Sequence, residues 1–274
     1  MDRGNPRRVS MIATMVPASA SAEMFSDAPE STMFSVEAAA VAGAVAERRR
    51  EFGTVRYCAR KALRRLGVPP VPIIPDRDRA PRWSAGVVGS MTHCAGYRAA
   101  VVARSRELGG VGIDAEPHAP LPAEAGDLVL RKEERQRLFA LAGAHPGLHW
   151  DRIVFCAKEA LYKAWFPLTR RWLDFPDVSV TVHLDGTFRA HLRVPGPRTA
   201  GVGLDGFGGR WVVGRGLVVA ATSVGRCPPP SRSGTPPRRA ASRSPLPRCW
   251  PRSWAWSRCR STATSSTTSV PTRW

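Results

Sequence analysis

The chain has 274 residues, of which 43% are hydrophobic, and it carries a formal net charge of +19. This length can bury the core of one large domain or of two small ones, and the composition indicates a globular protein. No stretch approaches the length of a membrane-spanning helix, and no C-x-x-C pair indicates a structural zinc site or a disulfide framework. We therefore expect a cytoplasmic protein that does not enter a membrane.

The excess of positive charge is concentrated in the last part of the chain. Residues 226–274 contain ten Arg and no Lys, Asp or Glu, so they carry +10 and leave +9 for residues 1–225. Pro, Arg and Ser dominate this tail without helical or strand periodicity, which predicts disorder. Such a composition is typical either of an arginine-rich arm or of a GC-rich gene translated out of frame, and we favour the second interpretation.

The first half of the chain is predicted to contain a helix followed by strands. Ala-rich sequence leads into a helix over residues 36–66, which Gly53 could divide in two and Gly67 could end. Five prolines between residues 68 and 83 predict an extended loop. Three strands are then predicted, over residues 86–93, 98–103 and 110–116.

The second half is predicted to contain two helices followed by strands. Residues 128–141 and 150–166 have helical patterns, and Pro167 is expected to end the second helix. Strands are predicted over residues 178–184, 188–194 and 210–221. The order of elements predicts an α+β fold in which small antiparallel sheets pack with long helices.

Two carboxylates lie two residues apart on the third predicted strand. Asp114 and Glu116 therefore project from the same face of that strand. Hard oxygen ligands of this kind suit Mg²⁺, which typically takes one or two protein carboxylates and completes its octahedron with phosphate and water. Taken alone, most D-x-E pairs are solvated strand ends, so the pair needs support from other residues.

Charged residues at helical spacing and a histidine provide that support. Glu159 and Lys163 are neighbours on one face of the predicted helix, and Lys158 lies about a quarter-turn away. Two ammonium groups are therefore expected around one carboxylate, which suits a polyanionic substrate, although a surface ion pair has the same pattern. His93 follows Thr92 in a predicted turn, where a functional and a structural role have equal weight.

The three segments together resemble a known family. The sequences G-S-M-T-H-C at 89–94, G-V-G-I-D-A-E at 110–116 and F-C-A-K-E-A-L-Y-K-A-W at 155–165 resemble the Sfp-type 4′-phosphopantetheinyl transferases, in particular the enterobactin-synthase branch and its actinobacterial members. The resemblance covers about residues 36–222. It implies a monomer of two pseudo-twofold-related α/β halves, and we place them at residues 1–118 and 119–225, before the tail at 226–274.

The resemblance also implies an activity. Such enzymes are Mg²⁺-dependent and transfer the phosphopantetheine arm of coenzyme A to a serine of an acidic apo-acyl, peptidyl or aryl carrier protein, and 3′,5′-ADP leaves. The carriers belong to fatty-acid, polyketide, nonribosomal-peptide or siderophore biosynthesis. Two other hypotheses stay open: a basic nucleic-acid-binding protein, which the charge alone supports, and an inactive relative that still binds coenzyme A.

Site residues follow from the resemblance position by position. Asp114 and Glu116 are expected to hold Mg²⁺, and Glu159 either completes the metal site or acts as the base. The residues expected to contact the phosphates of coenzyme A are Thr92, His93, Lys158 and Lys163, with Arg48 and Arg56 at its nucleotide end. Glu159, Lys163 and His93 are the expected catalytic residues. Pro75 stands where such enzymes often carry a lysine, and Arg77 or Arg79 is expected to replace that contact.

Overall fold

The computed structural model describes residues 10–199 and 202–225, so the predicted tail at 226–274 lies outside the described residues. The helices within these ranges are α1 (Ser35–Ala40), α2 (Ala46–Arg65), α3 (Ala123–Val129), α4 (Lys132–Ala144) and α5 (Trp150–Thr169). The strands are β1 (Ser19–Met24), β2 (Val87–Cys94), β3 (Tyr97–Arg104), β4 (Leu108–Pro117), β5 (Val178–Val182), β6 (Thr187–Leu192), β7 (Arg198–Thr199), β8 (Val202–Gly203), β9 (Gly206–Gly214) and β10 (Leu217–Gly225).

The strands form antiparallel sheets that are covered by the two longest helices. One sheet has the order β1-β3-β2, a second has the order β4-β10-β9-β6-β5, and β7 pairs with β8. Helix α2 packs on the first sheet and helix α5 on the second. The predicted α+β fold is thus confirmed. None of the described helices combines the length and hydropathy that a bilayer crossing requires.

Helix α2 is amphipathic and buries its apolar face on the first sheet. Cys58, Ala59, Ala62 and Leu63 recur at helical spacing and pack against β3. The predicted break at Gly53 is wrong, because the chain leaves the helical conformation at residues 41–45 instead. Gly53 lies inside α2, where an added Cβ would meet the Met33 side chain at 2.9 Å.

Helix α5 forms the centre of the second half and is buried from Trp150 to Phe166, except at Asp151. The expectation that Pro167 ends this helix is wrong by two residues. The helix continues to Thr169 and ends where Arg170 adopts a left-handed backbone conformation with φ 51°. Pro167 lies in the last turn, so its missing N–H removes only one hydrogen bond close to the helix end.

Two further predictions differ from the observed elements. The strand predicted over residues 210–221 is a hairpin of β9 and β10, because Arg215 and Gly216 both have positive φ and reverse the chain. The helix predicted over residues 128–141 is divided at Leu130, which has an extended backbone conformation and separates α3 from α4.

The two large sheets face one another across a shared core. Alternate residues of β3, including Ala99 and Val101, pack against Ile113 of β4 and Val219 of β10. Strand β4 falls within residues 1–118, yet its hydrogen-bonded neighbour is β10 of the second sheet. The chain therefore passes from one sheet to the other at β4, which brings β2 and β4 side by side.

Candidate active site

Side-chain hydroxyls join β2 to β4 along this seam between the sheets. The backbone N–H of Ile113 donates to Ser90 Oγ at 3.1 Å, and that of Ala115 donates to Thr92 Oγ1 at 3.0 Å. The Thr92 hydroxyl in turn donates to Asp114 Oδ1 at 3.3 Å. Thr92 therefore fixes both the backbone and the carboxylate of the D-x-E segment.

Asp114 is tied to the second half by Lys163. The Lys163 ammonium donates to Asp114 Oδ1 at 2.8 Å, and both side chains are buried. Burial lowers the pKa of Lys163, but the charges of Asp114 and Glu159 outweigh it, so the pKa lies above its ordinary value. The ammonium group is therefore held charged beside the carboxylate.

Glu116 lies next to Asp114 and is paired with an arginine of α5. Arg152 Nη1 donates to Glu116 Oε2 at 3.2 Å, while its other nitrogens donate to the carbonyls of Ala119 and Pro120. Burial and the neighbouring Asp114 charge raise the pKa of Glu116, against the opposing charges of Arg152 and Lys163. Two neighbouring buried carboxylates therefore favour the binding of a cation in addition to Lys163 and Arg152.

Glu159 belongs to the same electrostatic group. Its side chain is buried, and its charge acts on both Lys163 and Glu116. Helical spacing explains the arrangement, since Arg152, Glu159 and Lys163 are seven and four residues apart on α5 and share one face. The structure thus brings the predicted carboxylates and Lys163 together around one seam.

The carboxylate oxygens of this site are chemically suited to bind a magnesium ion. Asp114 Oδ2 is buried and has no hydrogen-bond partner among the described residues. Such an orphaned carboxylate oxygen is costly unless a cation or water satisfies it. No group of three or more His, Cys, Asp and Glu side chains in the described ranges is arranged to hold a metal ion by itself. Mg²⁺ at this pair would therefore need oxygens from a substrate phosphate or water as well.

His93 lies on the other side of Thr92 and faces α2. The prediction of a turn at His93 is wrong: the residue is in β2, opposite Arg98 of β3, and the turn follows at Ala95 and Gly96. Arg48 Nη1 lies 2.7 Å from His93 Nε2, and Glu51 Oε1 lies 3.5 Å from His93 Nδ1. The fold therefore brings Arg48 and His93 together beside Glu51.

Comparison with known proteins identifies the family of the chain. The model of the 4′-phosphopantetheinyl transferase N-terminal domain matches residues 36–103, and that of the 4′-phosphopantetheinyl transferase superfamily matches residues 110–213. The chain is 52% identical over 219 residues to 4′-phosphopantetheinyl transferase Svp of Streptomyces mobaraensis, which covers 78% of this chain and 89% of that protein. The chain belongs to the 4′-phosphopantetheinyl transferase superfamily.

Two further relatives support the assignment as a 4′-phosphopantetheinyl transferase. The 4′-phosphopantetheinyl transferase PptT of Mycobacterium tuberculosis is 48% identical over 222 residues, which is 77% of this chain and 97% of that protein. Enterobactin synthase component D of Salmonella typhi is 36% identical over 121 residues, which is 43% of this chain and 49% of that protein. The resemblance seen in the three sequence segments is thus confirmed.

One predicted site residue of this transferase lies elsewhere. Lys158 does not flank Glu159, because its ammonium donates to Glu134 Oε2 and to the carbonyl of Val129, both at 2.8 Å, and to the carbonyl of Phe175 at 3.2 Å. An ammonium group has three donors, and these oxygens use all of them. In this conformation the ammonium has no donor left for a phosphate, and the expected phosphate contact of Lys158 stays a prediction.

Arg56 is also engaged away from the carboxylates. Its Nε donates to the carbonyl of Ile73 at 2.6 Å and its Nη1 to that of Phe52 at 3.2 Å. The bond to Ile73 fastens α2 to the proline-rich loop. In that loop the Arg77 side chain is 93% exposed, whereas Arg79 is held in a left-handed conformation by a turn that Asp76 caps.

Three residues of the transferase site are not marked by any of the sequence motifs. Glu51 and Arg98 surround His93 and Arg48, and Arg152 binds Glu116. Helical spacing could have indicated two of them, since Glu51 is three residues from Arg48 and Arg152 is seven residues from Glu159. Arg98 becomes apparent only once β2 and β3 are paired.

Proposed function

We propose that this transferase moves 4′-phosphopantetheine from coenzyme A to a serine of an apo-acyl, peptidyl or aryl carrier protein in a Mg²⁺-dependent reaction that releases 3′,5′-ADP. One observation carries the proposal. Asp114, Glu116, Glu159 and Lys163 form one buried charged group at the seam between the two sheets. The names of the relatives identify the group that is transferred, and the charges of the site suit the binding of a pyrophosphate.

Asp114 and Glu116 would hold the magnesium ion. The orphaned Asp114 Oδ2 and the carboxylate of Glu116 are the available hard oxygen donors, and Glu159 either completes the set or acts as the base. When bound, Mg²⁺ supplies positive charge that polarises a phosphoryl oxygen and stabilises negative charge as the bond to the leaving group breaks.

Residues of the chain itself would prepare the phosphoryl transfer. Lys163, kept charged by Asp114 and Glu159, places an ammonium group where phosphate oxygens gain negative charge in the transition state. The serine hydroxyl is a weak nucleophile, so a carboxylate has to accept its proton as it attacks the β-phosphate. Glu159 is the candidate for that role, directly or through water.

The nucleotide end of coenzyme A would bind between α2 and β2. Arg48 and His93 lie 2.7 Å apart there and offer cationic and hydrogen-bonding groups to a phosphate. Thr92 would act mainly by orienting Asp114, to which its hydroxyl donates. Arg56 would bind the same end of coenzyme A, and Arg77 or Arg79 would supply the contact from the proline-rich loop.

The second substrate would be an acidic carrier protein. Residues 1–225 carry a net charge of +9, which favours encounter with an acidic surface. We place the reaction in the cytoplasm, with the transferase as a monomer. Carriers of fatty-acid, polyketide, nonribosomal-peptide and siderophore synthesis all belong to the set of substrates to be tested.

Intact-mass spectrometry tests the proposal directly. Purified protein, coenzyme A and Mg²⁺ are incubated with a panel of apo-carrier proteins, and a phosphopantetheine adduct is expected on at least one carrier. Asp114→Ala and Glu116→Ala are expected to abolish the adduct, whereas Glu124→Ala, which removes an exposed carboxylate of α3, retains it. Coenzyme A binding without an adduct on any carrier would instead identify an inactive relative.

A further inference from the structure

Glu51 lies at the centre of a cluster of charged and titratable side chains. Its carboxylate oxygens lie 3.5 Å from Arg48 Nη1, 3.5 Å from His93 Nδ1 and 3.6 Å from Arg98 Nη2. We name Arg48, Glu51, His93 and Arg98 the Glu51 cluster. It joins helix α2 to the β2–β3 hairpin beside the carboxylates of the active site.

The two nitrogens of His93 have different neighbours. Nδ1 faces the Glu51 carboxylate, an acceptor, so it has to carry a hydrogen. Nε2 lies 2.7 Å from the Arg48 guanidinium, which is only a donor, so it has to present its lone pair. His93 is therefore neutral in this conformation, and Nε2 cannot donate to a phosphate while Arg48 occupies it.

The charged groups around His93 also favour its neutral form. Burial lowers the pKa of His93, Glu51 raises it, and Arg48 and Lys163 lower it further, so the pKa lies below its ordinary value. Arg98 forms ion pairs with the same Glu51 carboxylate and with Asp27 Oδ1, the latter at 3.2 Å. A phosphate anion that drew Arg48 away would reverse the balance of charge around Nε2.

We propose that Glu51 is a positioning residue, and that a substrate phosphate takes the Arg48 guanidinium away from His93 while His93 gains a proton at Nε2. The proposal rests on the proposed function, because the phosphate belongs to coenzyme A or 3′,5′-ADP. The proton comes from solvent, so binding consumes one buffer proton for each imidazolium formed. Glu51 holds the opposite side of the ring at Nδ1, and the imidazolium then donates to both anions.

Calorimetry measures the proton directly. The binding heat of 3′,5′-ADP is recorded at pH 7.5 in two non-phosphate buffers of different ionisation enthalpy. Uptake of up to one proton is expected in the wild-type protein. Glu51→Gln is expected to reduce the uptake and to weaken binding about tenfold, since a charged hydrogen bond is lost. Glu47→Gln removes an exposed carboxylate from the same helix and should change neither quantity.

Nitrogen-15 NMR of the imidazole identifies the protonated group. The chain has six His, and His93→Gln assigns the signal that belongs to residue 93. The Nδ1–H tautomer is expected in the free protein and the imidazolium in the complex, and Glu51→Asp should restore part of the effect that Glu51→Gln removes. A His93 that stays neutral in the complex, or proton uptake that is unchanged in Glu51→Gln, would overturn the proposal.

The outcomes separate this proposal from the proposed function. Carrier modification together with binding heats that do not depend on the buffer contradicts the role of Glu51 and His93 alone. Proton-linked binding without modification of any carrier contradicts the transfer reaction alone. Absence of both nucleotide binding and transfer contradicts the two proposals together.

Discussion

Gly112 of strand β4 lies directly beneath the carbonyl oxygen of Ala160 in helix α5. A Cβ atom added at position 112 would lie 1.8 Å from that oxygen and 2.7 Å from the amide nitrogen of Ala164. The backbones of helix and strand therefore touch without an intervening side chain. Two residues further along β4, this close approach lets Lys163 reach Asp114 at 2.8 Å.

Gly112→Ala should consequently separate the two parts of the active site. The methyl group would force α5 away from β4, and overpacking of this kind costs roughly 1–3 kcal/mol of unfolding free energy. We expect a lower urea midpoint and a loss of carrier modification larger than the loss of stability explains, because Lys163 and Glu159 move away from the D-x-E carboxylates.

Gly109→Ala provides the matched control on the same strand. The nearest atom to a Cβ at position 109 is the carbonyl oxygen of Val224 at 3.6 Å, which is an ordinary van der Waals contact. This variant should keep its transfer rate and stay within about 0.5 kcal/mol of the wild-type stability. Equal transfer rates and equal stabilities of Gly112→Ala and Gly109→Ala would mean that the contact between Gly112 and Ala160 does not position the site.

The two lysines of α5 should respond differently to removal of their charge. Lys158→Met leaves Glu134 buried without its partner, and breaking a buried pair costs about 3–5 kcal/mol. We expect a large decrease in unfolding free energy, measured by urea titration, with little change in the KM for coenzyme A in the folded fraction. Lys163→Met should instead reduce kcat/KM of carrier modification at least tenfold.

A double variant distinguishes a structural role of Lys158 from a role in substrate binding. In Lys158→Met with Glu134→Gln, no charge of the buried pair remains and the amide oxygen can still accept from the Val180 N–H, so part of the lost stability should return. An increased KM for coenzyme A that persists in this double variant would show that Lys158 contacts the substrate after all.

Local spacing explains why much of the site could be predicted from the sequence. Asp114 and Glu116 share a strand face, and Glu159 and Lys163 share a helix face, so short-range periodicity places each pair correctly. Helices α2 and α5 could be predicted from the sequence for the same reason. What joins the two pairs is the pairing of β4 with β10 under α5, which no local pattern reveals.

Contacts distant in sequence account for what could not be predicted. Lys158 binds Glu134, 24 residues earlier, and no helical rule relates the two. Strand β1 has the sequence SASAEM, whose small residues lack the β-branched pattern of a strand, and it forms because β3 offers it a partner. Tertiary pairing, rather than propensity, determines both features.

The thiols of Cys58 and Cys94 should resist alkylation. Burial raises the pKa of Cys58 and of Cys94 to about 12, and nearby Glu116 and Asp114 add to the effect at Cys94. At pH 8 only about one thiol in 10⁴ would be ionised, compared with roughly a quarter of ordinary cysteines. Peptide mapping after iodoacetamide treatment of the native protein should show both residues largely unmodified.

Denaturation supplies the control for this experiment. In urea the same two cysteines should be alkylated at the rate of a model peptide, because burial no longer disfavours the thiolate. Cys94 is only partly buried, so it is the stricter test of the two. Rapid alkylation of Cys94 in the native protein at pH 8 would contradict the raised pKa, whose largest cause is burial.

Acid should weaken the fold through Glu51 in a defined pH range. Burial raises the pKa of Glu51, but His93, Arg98 and Arg48 outweigh it and lower the pKa from 4.5 to about 2. A carboxyl with a depressed pKa stabilises the folded state above its unfolded pKa, and that contribution is lost as the pH falls towards the folded pKa. The difference in unfolding free energy between wild type and Glu51→Gln, on the order of 1–3 kcal/mol, should shrink as the pH falls from 4.5 towards 2.

Urea titrations followed by tryptophan fluorescence from pH 7 to pH 3 measure this difference. Glu47→Gln, on the exposed face of the same helix, should show a difference near zero that does not vary with pH. The side chain of Glu51 is only 18% exposed, so added salt should reduce its contribution less than that of a surface ion pair. A difference that grew as the pH fell below 4.5 would mean that Glu51 is destabilised by its surroundings, which is incompatible with a carboxylate held by Arg48, His93 and Arg98.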